Sequence, residues 1–218
     1  MNKPDSNPEE LDHRASIILK DYSGIFAAYE AFYIESIVYA SSRAIDAFLR
    51  YDIARSVGDT QVNQVSAVHE ALAHAGALSH FFWPSPLGRK ASQTQRQLTS
   101  ARANKLREAF AVTEDSPLKN RNVRNSLEHF DERLDSYLLV NDSGYFFPSA
   151  LIGQADMAED KRGHIFKMVD PISSTFVCLG ISFEFGTLRK ETQRIHGLAQ
   201  QMMKNGARLK PARSKADD

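Results

Sequence analysis

Val123-Arg124-Asn125-Ser126-Leu127-Glu128-His129-Phe130-Asp131-Glu132-Arg133-Leu134-Asp135-Ser136-Tyr137-Leu138 is the stretch from which the rest of the chain is best read. At about 100° per residue, Leu127, Phe130, Leu134, Tyr137 and Leu138 fall within about 60° of Val123, which predicts an amphipathic helix with one buried stripe. His129 lies about 120° from Val123, beside Asn125, and Arg124 flanks the stripe about 100° away on the other side. Asn125 and His129 are four apart and therefore neighbours, so the amide can hold one ring nitrogen and fix the tautomer of the other. Arg124 adds a permanent cation whose planar fork suits phosphate oxygens.

Working outward, Thr113 to Pro117 reads as a loop that starts this helix, with Pro117 in its first turn and the end near Leu139. Three helices are predicted before it. The first runs from Tyr22 to about Tyr51, with a wide stripe including Phe26, Tyr29, Phe32, Tyr33, Ile37 and Phe48. The second runs from about Gln61 to Phe82, between a break at Gly58-Asp59-Thr60 and the stop at Trp83-Pro84-Ser85-Pro86. A third, basic helix spans about Gln95 to Val112. Beyond Asn141-Asp142-Ser143-Gly144 the pattern changes. Tyr145–Ile152, His164–Val169 and Thr175–Phe185 are rich in β-branched and aromatic residues, and the last two read as a β-hairpin joined through Asp170-Pro171-Ile172-Ser173-Ser174. A final helix is predicted from about Thr187 to Lys204.

Composition narrows the function classes. With 218 residues, 42% of them apolar, the chain can bury a proper core. Twenty-seven basic residues balance twenty-seven acidic ones, so attraction to nucleic acid must come from local patches. The single cysteine, Cys178, excludes an internal disulfide and a Cys-based zinc site and fits a cytoplasmic setting. No signal segment or membrane-spanning run is present in the sequence, so no membrane association is expected. His69-Glu70-Ala71-Leu72-Ala73-His74 approaches a zinc-protease motif, but its histidines are five apart where that chemistry needs four. No Gly-rich phosphate loop or nucleophile elbow is found. No metal and no cofactor is expected.

The order Arg124-Asn125-x-x-x-His129, followed by Phe-Asp-Glu-Arg-Leu-Asp, resembles the signature of the HEPN superfamily, and its place on a late helix after a long first one adds context. The resemblance implies a mainly α fold, a four-to-five helix HEPN-like bundle with a C-terminal β-hairpin and final helix. It divides the chain into a flexible N-terminus at 1–20, the helical core at 21–140, a hairpin-plus-helix extension packed on the core at 141–204 and a basic flexible tail at 205–218. It also implies metal-independent endoribonuclease activity, a hydrolase of defence, stress or toxin systems, with Arg124 and His129 carrying the reaction and Asn125 orienting. A non-catalytic HEPN-like dimer that binds RNA, a nucleotide or a protein stands as the alternative. The implied partners are RNA, a second copy of the chain and an antitoxin or regulatory protein. A toxin branch of the family carries Tyr two positions after the histidine; here that position is Asp131, so regulation through that tyrosine does not carry over.

Arg121, four before Asn125, competes with Arg124 for the essential role or binds phosphate beside it. Arg133, four after His129, is either a substrate contact or an exposed ion-pair partner. Among Arg89, Lys90, Arg96, Arg102, Lys105 and Arg107, with Glu108 as the close acidic neighbour, Arg102 and Lys105 are the candidates for gripping an RNA backbone. A solvated helix face explains the same charges equally well.

Overall fold

The computed structural model describes residues 7–120, 130–160 and 162–209. The fold is mainly helical with a small four-stranded sheet. In chain order the elements are α1 (Pro8–Tyr22), α2 (Glu30–Ser56), α3 (Gln61–Phe82), α4 (Gln93–Ala109), α5 (Phe130–Val140), β1 (Tyr145–Ile152), β2 (Gly163–Asp170), β3 (Thr175–Cys178), β4 (Ile181–Glu184) and α6 (Gly186–Lys204). They group into two compact units. The first takes its residues from 1–38, 79–119 and 197–218, the second from 39–78 and 120–196. The sheet groups with 39–78 and with α5.

In the first unit, residues 8–20, expected to be flexible, are helical. Asn7 accepts the Glu9 N–H at 3.2 Å as N-cap, Pro8 occupies the first turn, and Glu9 and Glu10 complement the helix dipole. The helix expected over Tyr22–Tyr51 is interrupted: Ser23 (φ 52°) and Gly24 (φ 94°) turn left-handed, and α2 starts at Glu30. α4 starts at Gln93, two residues before the expected position, on a reciprocal capping box. Ser92 Oγ accepts the Gln95 N–H at 3.1 Å and Gln95 Oε1 accepts the Ser92 N–H at 3.3 Å. Ser92 Oγ also donates to Asp12 at 2.5 Å, tying α4 to α1. Phe82, Trp83 and Phe110 pack edge-to-face, with Leu106 and Leu118 also buried in this unit.

In the second unit, the strands expected as one hairpin belong to a sheet of order β1-β2-β3-β4, in which β1 and β2 are parallel and the other pairs antiparallel. The stretch Thr175–Phe185 is two strands, because Leu179 (φ 49°) and Gly180 (φ 73°) form a tight turn with two positive φ angles. β1 is an edge strand whose register shifts between Phe147 and Ala150. Pro148, which has no N–H to donate, falls within that irregularity. The connector Asp170–Ser174 is organised by buried Asp170, which accepts N–H bonds from Ala155 (3.0 Å), Ile172 (2.8 Å) and Ser173 (3.2 Å) and the Ser173 hydroxyl at 2.8 Å. Burial alone would raise the Asp170 pKa, but these donors hold it below the ordinary value. Phe185 stacks on Phe48 at 5.8 Å and meets Tyr51 edge-on, while Arg189 pairs with Asp52.

The stripe expected to be buried on the fourth helix is only partly so. None of the residues of α5 is fully buried, and Leu139 and Val140 are exposed. Phe130 lies under Lys167 Nζ at 4.4 Å, and Tyr137 packs edge-on against His164 and Phe166. α5 thus meets β2 through these two aromatics.

Candidate functional site

Arg124, Asn125 and His129, with Arg121, lie outside the described residues, which resume at Phe130. Among the residues grouped with them by sequence, Arg133 is half-buried on α5 in the second unit. Its charge bears on Cys178: burial pushes that thiol up, against the pull of Lys167 and Arg133. Arg133 therefore faces the sheet closely enough for a buried thiol to sense it, and it has a partner of its own.

The basic segment belongs to the first unit, and its side chains are largely used within it. Lys105 Nζ is 3.0 Å from Glu30 Oε1 and donates to the carbonyls of Tyr22 (3.1 Å) and Ile25 (3.2 Å). Its three N–H groups are thereby satisfied, and it closes the turn between α1 and α2 instead of offering a cation to RNA. Arg107 donates to Phe82 O at 2.7 Å and Asn104 Oδ1 at 2.6 Å, and Arg96 holds the carbonyls of Leu87 and Gly88. Arg102 differs. It makes one long bond to Phe81 O at 3.4 Å and lies 5.8 Å from the Tyr33 ring centroid, and among the described residues no carboxylate pairs with it.

The near-zinc motif separates into two unrelated roles. His69 stacks on Phe176 with centroids 6.0 Å apart, and burial, then the Lys167 charge, lower its pKa. His74 Nε2 sits 3.6 Å from Glu70, which also takes Arg50 at 2.5 Å and Arg43 at 3.9 Å. The hydrogen bond from Arg50 lowers the Glu70 pKa. Beside this cluster the second unit carries a groove of about 380 Å³ between the C-terminal half of α2 and the first half of α3. Ile53 and Val57 wall it, Ala54 and Ala67 line it, and Asp59 and Asn63 close one end through their own hydrogen bonds. Of its charges, Arg50 and Glu70 are paired with one another and Asp59 is held by Asn63.

His164, 4% exposed, resembles a catalytic histidine in isolation but is held at both nitrogens. Nε2 donates to the Ser143 carbonyl at 2.7 Å, which can only accept, leaving Nδ1 to accept from the Tyr137 hydroxyl at 3.1 Å. It fixes α5 and the Ser143 turn to β2.

Sequence reasoning missed Glu30. Its carboxylate, 7% exposed, takes Lys105, Arg208 Nε at 3.3 Å and the Leu209 N–H at 3.0 Å. The available signal was a lone carboxylate inside the aromatic run Phe26–Tyr33, where an unpaired charge would be costly to bury. No family model, curated protein or solved structure matches the chain.

Proposed function

We propose that the chain is a HEPN-type endoribonuclease that cleaves RNA without metal, acting as a homodimer whose two motifs face one cleft. The observation that carries the reading is the spacing Arg124-Asn125-x-x-x-His129, and a mainly helical fold supports it. RNA holds its own nucleophile. His129 takes the proton from the 2′-hydroxyl, the 2′-oxygen bonds to phosphorus, the bond to the 5′-oxygen breaks, and the protonated His129 of the second copy gives that oxygen its proton. Arg124 stabilises the charge on the phosphorane, and Asn125 orients the imidazole. The products are a 2′,3′-cyclic phosphate and a 5′-hydroxyl. A defence, stress or toxin setting, with an antitoxin or regulatory protein as partner, follows from the same reading.

The test is incubation of the purified protein with RNA in EDTA. Cyclic-phosphate ends are expected, and Arg124→Ala or His129→Ala should each slow cleavage by about 10²-fold or more. Cleavage at the parental rate by the double variant would sink the site.

A second reading is favoured by the groove on the second unit, where Ile53 on α2 and Val57 just beyond its end are exposed. It makes the chain a non-catalytic HEPN-like dimer that binds RNA, a nucleotide or a protein. RNA binding without turnover, indifferent to His129→Ala, would favour it.

A further inference from the structure

The corner between α1 and α2 in the first unit is rich in aromatic rings. A crevice of about 130 Å³ is lined by Gly24, Phe26, Tyr29, Tyr33, Thr99 and Arg102, among others. Tyr22, Phe26, Tyr29 and Phe32 form a continuous edge-to-face ladder, with centroids 4.7, 5.1 and 6.3 Å apart. The outer half of that ladder is bare: Tyr29 is 52% exposed and Phe32 70%. In the crevice lies Arg102, half-buried, with five N–H donors and, among the described residues, a single long bond to use them on. Around the same corner Lys105 and Arg208 share the carboxylate of Glu30. An arginine taken from water with no counter-ion among the described residues, beside exposed aromatic faces, calls for an anion that also carries flat apolar rings.

The crevice is smaller than the roughly 300–1,000 Å³ of a self-sufficient small-molecule pocket. It admits one group of a ligand whose remainder lies along Tyr29 and Phe32. Stacking on aromatic side chains beside a basic groove is how unpaired nucleotides are held, and it is closed to duplexes, whose bases are already stacked. We infer that this corner is a subsite for single-stranded RNA, with a phosphate at Arg102 and an unpaired base on Tyr29.

The inference rests on the ribonuclease reading only for the choice of RNA as ligand, so it is tested by binding and not by cleavage. The full-length chain carrying His129→Ala is titrated against a fluorescein-labelled uridine 12-mer and followed by anisotropy. Tyr29→Ala and Arg102→Gln should each weaken binding about 5- to 100-fold, Tyr29→Phe should bind like its parent, and Arg102→Lys should lie between. Thermal melts check folding; should Arg102→Gln fail to fold, the Tyr29 pair and Arg102→Lys decide the matter. Parental affinity in Tyr29→Ala and in the folded Arg102 variants overturns the subsite, as does equal affinity for a duplex of the same length. An inactive wild type whose RNA binding depends on Tyr29 refutes the nuclease and keeps the subsite. An active enzyme with binding indifferent to Tyr29 and Arg102 does the reverse.

Discussion

Glu30 is the residue on which the first unit turns. Its carboxylate is buried with Lys105 against it and takes the backbone of Leu209 besides. Removing one member of such a set leaves the others desolvated without compensation, at about 3–5 kcal/mol. Glu30→Ala should lower unfolding stability in urea by about that amount, and a loss under about 1 kcal/mol would show the ion pair to be dispensable. His69 provides a pH test. Its pKa is lowered in the fold from 6.5, so the unfolded chain takes up the proton first as pH falls. The stability owed to neutral His69 is whole above about pH 6.5 and is lost as pH drops through the folded value. Melting temperature should fall between pH 7.5 and 5, less steeply in His69→Gln; parallel profiles would remove His69 from the account.

Among the elements, the α1–α2 break is the most demanding. Gly24 has φ +94°, and a Cβ there would lie 2.6 Å from the carbonyl carbon of Ala101 on α4. Both strain and overlap oppose a side chain, so Gly24→Ala should cost about 2–4 kcal/mol, read as a lower urea midpoint. A variant as stable as the parent would mean that α4 can withdraw freely. This break was not legible in the sequence, because the apolar spacing that begins at Phe26, inside the break, continues evenly to Tyr51. The turn is set by one left-handed glycine and by Lys105, eighty residues away from Ile25. By contrast α3 was read at its observed bounds, since Gly58-Asp59 and Trp83-Pro84 punctuate it locally. The sheet was half legible. Alternating β-formers located β1 and β2, but their parallel pairing is a long-range choice that composition does not encode.

At the scale of the whole molecule, a motif of about six residues carries the proposed chemistry, and the basic helix read beside it turns out to be mostly internal fastening. Charge counting could not tell Arg102 from Lys105, because what distinguishes them is the presence of Glu30 within reach of one and not the other. No helix among the described residues is long and apolar enough to cross a membrane. The tie between Glu30 and Leu209, 179 positions apart, also sets a timetable. A ribosome adding about 5–20 residues per second needs roughly ten to forty seconds after making Glu30 before it reaches Arg208 and Leu209. Through that interval the Glu30 corner is without its last two partners, so the first segment synthesised is among the last to be completed. A nascent chain stalled before residue 208 would be the natural place to look for chaperones at work.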